Sequence, residues 1–84
     1  MKTVLLTGGT GYIGSHTAVE LINDGYKVVI VDNLSNSSVN SIDGVERITG
    51  IRPDFVKADC ANYAEMVELF RKYNGFSSII HFAA

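Results

Sequence analysis

The spacing of glycines near the start of the chain is the first feature that could support chemistry. Gly9, Gly11 and Gly14 fit the pattern G-x-G-x-x-G, and Gly8, Gly11 and Gly14 fit the related G-x-x-G-x-x-G. An apolar strand pattern precedes them and a helical pattern follows. In that setting one glycine allows a tight turn, a second lets the backbone approach a pyrophosphate, and Gly14 lets the helix pack closely on the strand. Free N–H groups and the helix dipole would then bind the phosphates, so the pattern predicts a dinucleotide site.

An acidic residue follows the second predicted strand. Asp32 lies close to the spacing of about 20 residues beyond the glycines at which dinucleotide-binding folds place an acid on the adenosine ribose hydroxyls. A carboxylate repels a 2′-phosphate, and no Lys or Arg occurs between positions 33 and 43 to bind one. The sequence therefore favours NAD over NADP. The alternative interpretation of Asp32 is a turn residue, because Asp-Asn is a common turn pair.

The elements that must position these residues alternate along the chain. Apolar β-branched runs predict strands, amphipathic spacing predicts helices, and Gly25 is expected to end the first helix in a left-handed conformation. The predicted helices cover 12–24, 39–48 and 63–73. After the first strand, which leads into the glycines, three more strands are predicted at 27–31, 54–58 and 77–82. The order βαβαβαβ predicts an α/β fold of Rossmann type, with a parallel sheet and right-handed crossovers.

The second and third helices are predicted from apolar stripes. A stripe at spacing three favours the second helix, and it consists of Val39, Ile42, Val45 and Ile48. Asn62 followed by Glu65 resembles a capping box with Asn at the cap. The stripe after this cap is expected to pack in the core, and it consists of Tyr63, Met66, Val67, Leu69, Phe70 and Tyr73.

Composition narrows the function classes. The chain has 84 residues, enough for one domain, and 46% of them are hydrophobic. A net charge of −2 gives no basic surface for nucleic acid, and no apolar run approaches the length of a membrane span. The single cysteine, Cys60, cannot form an internal disulfide, which fits a reducing cytoplasm, and it is expected to be a small buried residue.

Several blocks of the sequence resemble the extended short-chain dehydrogenase/reductase family. They cover residues 7–17, 32–37, 59 and 80–84, and so extend along the whole chain. The block Asp-Asn-Leu-x-Asn-Ser at 32–37 most resembles the UDP-sugar 4-epimerases within that family. Ala84 stands where many of these enzymes have Gly, a difference that related sugar-nucleotide enzymes tolerate.

The resemblance implies a set of NAD-binding positions, all of which open the first helix or follow a strand. They are Gly8, Gly11, Tyr12, Ile13, Gly14, Asp32, Asn33, Asn36, Ser37, Asp59, Cys60, Phe82, Ala83 and Ala84. In the family pattern the backbone N–H groups of Tyr12 and Ile13 bind the pyrophosphate and Asp32 holds the adenosine ribose. Asp59 contacts the adenine amino group, and residues 82–84 lie beside the dinucleotide.

The resemblance also implies a reaction, the inversion of C4 in a UDP-hexose. A tyrosine from a Tyr-x-x-x-Lys motif removes the 4-OH proton while NAD accepts the C4 hydride, and the 4-keto sugar then rotates. Neither Tyr12, Tyr26, Tyr63 nor Tyr73 has a lysine four positions later. No catalytic or metal-binding residue is therefore predicted here, and the two histidines at 16 and 81 are expected to have packing or surface roles.

We expect these 84 residues to be the N-terminal part of an NAD-binding Rossmann domain without the substrate domain. The expected strand order is 3-2-1-4, half of a doubly wound sheet, with two helices on one face and the third on the other. A bare sheet face and an open edge predict weak stability or self-association. The parent enzyme could instead be a sugar-nucleotide dehydratase or decarboxylase, or the chain could be a non-catalytic dinucleotide-binding module. A homodimer is possible in either case.

Overall fold

Strands and helices alternate throughout the computed structural model, which describes residues 2–8, 12–33, 40–59 and 61–82. In chain order they are β1 (Thr3–Thr7), α1 (Tyr12–Asn23), β2 (Lys27–Asp32), α2 (Asn40–Thr49), β3 (Asp54–Lys57), α3 (Tyr63–Tyr73) and β4 (Ser78–His81). The strands pair in parallel in the order β3-β2-β1-β4. The predicted Rossmann-type topology is therefore confirmed.

The two central strands are buried on both faces because helices cover each side of the sheet. Alternation along β1 places Val4 and Leu6 in one apolar cluster and Leu5 in the other. The first cluster contains Ala18 and Ile22 of α1 with Ile42 and Val45 of α2, and the second contains Leu69 of α3. Two helices thus lie on one face and one on the other, as the sequence predicted.

Helix α1 ends as the position of its glycine predicts. Gly25 has a φ of 93°, a conformation that a side chain would strain. The N–H of Tyr26 donates to the carbonyl of Leu21 at 3.0 Å, and the N–H of Gly25 donates to that of Ile22 at 3.0 Å. These two bonds form a Schellman motif, which turns the chain directly into β2.

The predicted apolar stripe of α2 is only half correct. Ile42 and Val45 are buried, but Ile48 is 70% exposed, and Val39 lies outside the described residues. A spacing of three falls short of a full turn by about 60° at each step, because a helix has 3.6 residues per turn. By Ile48 the stripe has therefore rotated away from the sheet.

Helix α3 contacts the sheet through a narrower row than predicted. Leu69 is its only buried residue, and Met66 and Tyr73 pack partly against the same cluster. Tyr63, which we expected in the core, is 84% exposed. It points roughly 90° away from the row at 3.6 residues per turn, so it cannot reach the sheet.

The α3 face of the sheet is only partly covered. Ile79 pairs with Leu5 in the parallel register and shares its face, yet Ile79 is 53% exposed whereas Leu5 is fully buried. This arrangement agrees with the expected half-covered second face. Self-association through it stays a prediction.

Candidate functional site

The carboxyl ends of the strands bring the predicted binding positions to one edge of the sheet. Three backbone hydrogen bonds continue the pairing past the strand ends: Gly8 N–H to Val31 O (2.8 Å), Phe82 N–H to Thr7 O (2.8 Å) and Ala58 N–H to Asp32 O (3.2 Å). The ends of all four strands are therefore held level at this edge. Ligands of open parallel sheets bind at such an edge, outside the carboxyl ends of the strands.

Gly8 begins the turn that leaves β1. Its φ of 74° lies in the left-handed region, where glycine is favoured. Its N–H is bonded to Val31 in the neighbouring strand and so faces the sheet rather than a ligand. Gly8 can therefore shape the turn, while phosphate contacts must come from residues that follow it.

Helix α1 presents an exposed N-terminus at this edge. Tyr12 and Ile13 are largely exposed, and the first turn of α1 contains no acidic side chain, whereas α2 and α3 each have one there. The Ser15 and Thr17 hydroxyls donate to the carbonyls of Tyr12 and Ile13 at 3.0 and 2.9 Å. The groups available to an anion are thus backbone N–H groups with an uncompensated dipole behind them.

Gly14 is buried in the first turn of α1, and close packing on the strand stays its predicted role. The Tyr12 ring makes an edge contact with the His16 ring, with 4.6 Å between the centroids. His16 therefore has a packing role at the start of the helix, in agreement with the sequence prediction.

Asp32 ends β2 in a half-buried position, and Asn33 after it is exposed. Alternation along β2 places Asp32 on the same face as Ile30, the face that α1 covers. The Asp32 carboxylate and the N-terminus of α1 therefore lie on the same side of the sheet, as a dinucleotide that joins a ribose to a pyrophosphate requires.

Asp59 is exposed beyond β3 and is held by its own short turn. Its N–H donates to Glu65 Oε2 at 2.9 Å, and its Oδ1 accepts the N–H of Ala61 at 2.9 Å. Asn62 Oδ1 accepts the N–H of Glu65 at 3.1 Å, which confirms Asn62 as the cap of α3. Glu65 bonds to Asp59 rather than back to the cap residue, so the capping box is correct in only one of its two bonds.

Phe82 follows β4, is half-buried, and packs against the α1–α2 cluster. His81, just before it, shares a hydrogen bond through Nδ1 with the hydroxyl of Thr7. No sequence pattern predicted this bond. The other predicted positions lie outside the described residues; they are Gly9, Gly11, Asn36, Ser37, Cys60, Ala83 and Ala84.

Two side chains at the opposite, amino edge of the sheet have a shifted pKa. Hydrogen bonds from Arg52 to Asp43 at 2.7 Å and to Glu46 at 3.0 Å raise the pKa of its guanidinium. Burial, and then a 2.8 Å bond to Asp54, raise the pKa of Tyr73 to about 12. These contacts connect neighbouring elements, and neither group lies near the glycine turn.

A groove of about 590 Å³ lies between β3 and α3 and is lined by residues of those elements rather than by the glycine turn. Within the same residues, no three His, Cys, Asp or Glu side chains are grouped as a metal site would require. No helix in these ranges has the length and apolar character needed to cross a bilayer.

Comparison with known proteins identifies relatives of this site. The sequence model of the family described as GDP-mannose 4,6 dehydratase matches residues 5–84. A UDP-glucose 4-epimerase of Dictyostelium discoideum is 52% identical over 80 residues, covering 95% of this chain and 23% of the relative.

Two solved structures are similar over almost the whole chain. A UDP-glucose 4-epimerase from Stenotrophomonas maltophila, with bound NAD and formylated UDP-arabinopyranose, superposes with a TM-score of 0.94 at 45% identity, covering 100% of this chain and 25% of that one. The Bifidobacterium longum enzyme, in complex with NAD+ and UDP, gives 0.93 at 44% identity, covering 98% and 24%. The chain thus spans about a quarter of the length of these relatives, and the predicted resemblance is confirmed.

Proposed function

The chain belongs to the GDP-mannose 4,6 dehydratase family, and from that premise we propose that its carboxyl sheet edge binds NAD as the dinucleotide-binding region of a UDP-sugar 4-epimerase. The observation that carries this proposal is the shared placement of Asp32 and the acid-free N-terminus of α1 on one face, at one edge of the sheet. Similar enzymes crystallised with NAD support it.

The residues of this chain would bind and orient the cofactor. The backbone N–H groups of Tyr12 and Ile13 would hold the pyrophosphate at the α1 N-terminus, and Asp32 would accept hydrogen bonds from the adenosine ribose. Asp59 would contact the adenine amino group. When bound, NAD supplies reversible hydride transfer at a sugar carbon.

Epimerisation of a UDP-hexose would also need a proton-transferring Tyr-x-x-x-Lys pair, which none of the four tyrosines here forms. That pair and the UDP-sugar site would belong to further sequence of the enzyme. The 52% identity to an epimerase favours this activity over the dehydratase activity for which the family is named. We further propose that this enzyme acts in the cytoplasm, in galactose metabolism. Its proposed assembly is a homodimer.

Calorimetric titration of the purified chain with NAD and NADP tests the cofactor proposal. We expect NAD to bind more tightly than NADP, because Asp32 would repel the 2′-phosphate. Asp32→Asn should weaken NAD binding and narrow the difference between the two cofactors. Asp24→Asn removes the same charge at an exposed position beyond the far end of α1 and should leave both affinities unchanged.

Equal affinity for the two cofactors in the unmodified chain would contradict the role of Asp32. So would an Asp32→Asn variant that binds both cofactors as the unmodified chain does. To test the epimerase assignment, an enzyme that contains this segment can be assayed for interconversion of UDP-glucose and UDP-galactose, with loss of water from the sugar as the competing outcome.

A further inference from the structure

Thr7 is the one polar side chain that the described residues bury, with 3% of its surface exposed. It ends β1 immediately before Gly8, where the chain enters the glycine turn. A hydroxyl in such a position requires a hydrogen-bond partner, since a buried polar group without one is costly. The partner that the structure provides is the imidazole of His81.

His81 reaches Thr7 because of the sheet register. Thr7 and His81 are parallel partners at the ends of β1 and β4, so their side chains lie on the same face. Strand β4 is short and lies at the edge of the sheet, where β1 is its only paired neighbour. The side-chain bond therefore joins these strands at the point where Phe82 N–H also bonds Thr7 O.

The Thr7–His81 pair lies next to Gly8, the first residue of the turn. Gly8 follows Thr7 with a left-handed φ of 74°, and its N–H is bonded on the other side to Val31 of β2. The end of β1 is thus held by β4 through Thr7 and by β2 through Gly8. A change at either contact would remove one of the two attachments that hold this end of β1.

We propose that Thr7 and His81 act as a pair of positioning residues that fixes the start of the glycine turn for dinucleotide binding. This inference rests on the proposed function, because NAD affinity is its readout. A neutral imidazole has one acceptor nitrogen and one N–H. Nδ1 either accepts a hydrogen bond from the Thr7 hydroxyl or donates its own N–H to it. In both arrangements the bond holds the imidazole in one tautomer.

The test combines NAD calorimetry with the ¹⁵N resonances of His81 at mildly alkaline pH. Thr7→Val removes the hydroxyl while keeping the shape of the side chain. We expect it to weaken NAD binding about tenfold, the effect of about one hydrogen bond, and to release the tautomer preference of His81. Thr7→Ser keeps the hydroxyl and should restore both the affinity and the tautomer.

A matched control and a double variant complete the test. Thr3→Val makes the same change at the other end of β1, on the same face, and should leave NAD binding unaltered. His81→Phe should weaken binding at least as much as Thr7→Val, because it also leaves the buried Thr7 hydroxyl without its partner. The double variant should lose no more than His81→Phe, because both changes remove the same bond.

Three results would overturn the proposal. These are unchanged NAD affinity in Thr7→Val, an unchanged His81 tautomer in that variant, and a loss that stability measurements attribute entirely to the unfolded fraction. If the unmodified chain binds no NAD, the positioning role falls together with the proposed function. The ¹⁵N signals would then still show whether the bond itself exists.

Discussion

Replacing Leu69 with alanine should destabilise the protein more than any other single truncation in α3. Leu69 is the only residue of that helix that is buried, at 3% exposure, and it packs in the cluster that covers one face of the sheet. The change removes three carbon atoms. At about 0.8 kcal/mol for each, the transfer term is about 2.4 kcal/mol.

The surroundings of Leu69 place this value at the lower end of the usual range. Substitution of a buried leucine by alanine costs about 2–5 kcal/mol, and the upper part of that range reflects a closed cavity. Leu69 instead lines the groove between β3 and α3, which is open to solvent. We therefore expect a loss of about 2.5 kcal/mol in the free energy of unfolding, roughly 60-fold in the equilibrium constant.

Urea denaturation of the 84-residue chain, followed by circular dichroism over a range of protein concentrations, measures this loss. The concentration series is needed because the exposed Ile79 surface could support self-association. Tyr63→Ala is the matched control, since it truncates a larger side chain on the same helix at an 84% exposed position. It should change the free energy of unfolding by less than about 0.5 kcal/mol.

Equal losses in the two variants would refute the reasoning that a single side chain anchors α3. A loss in Leu69→Ala accompanied by a smaller denaturant slope would mean that α3 detaches before the sheet unfolds. In that case hydrogen exchange should show early opening of α3 alone, while β1 and β2 remain protected.

Three further outcomes follow from local contacts. Glu65→Ala removes the acceptor of the Asp59 N–H. It should cost about 1 kcal/mol of stability in thermal unfolding, and it should weaken NAD binding. Glu68→Ala, at an exposed position, should change neither the stability nor the NAD affinity. The pKa of Tyr73 is raised in the folded state from 10.0 to about 12. Its contribution to the free energy of unfolding is therefore complete below pH 10 and is lost as the pH rises toward 12. In a series of denaturation curves at increasing pH, Tyr73→Phe should remove this loss of stability above pH 10. Gly25→Ala meets no atom within 4 Å but forces alanine to a φ of 93°, and it should cost about 1 kcal/mol in the same thermal assay.

The centre of the fold could be predicted from the sequence because its signals are local. β2 is a run of β-branched residues, and burial on both faces of a parallel sheet requires such a run. The turn after α1 needs a left-handed residue, and Gly25 is where the helical pattern ends. The errors concern Ile48, Tyr63 and Phe70, exposed residues that a simple count of the stripe assigns to the core. Burial depends on where each helix axis lies over the sheet, and the spacing of apolar residues does not contain that information.

Among the candidate site residues, local sequence signals could be read in advance, whereas contacts between distant parts of the chain could not. Asp32 was predicted as a ribose ligand because it ends a strand at a known distance from the glycines, and that role stays a prediction. The Glu65 bond to Asp59 was missed because the capping pattern specifies the residue type at the third position but not which N–H it accepts. The Thr7–His81 bond depends on the register between the first and last strands, which are distant in sequence.

The charges in the first turn of each helix distinguish the three helix N-termini near the carboxyl edge of the sheet. In a parallel sheet joined by right-handed crossovers, each helix begins near the carboxyl edge, so α1, α2 and α3 all direct a positive dipole end toward it. Glu65 in the first turn of α3 offsets the dipole of that helix, whereas Asp43 in the first turn of α2 is paired with Arg52 at 2.7 Å. α1 has no such residue, and a glycine-rich turn leads into it. A phosphate would therefore be attracted most strongly to the N-terminus of α1. The fold supplies three helix N-termini near this edge, and we propose α1 as the anion site because its first turn has no carboxylate.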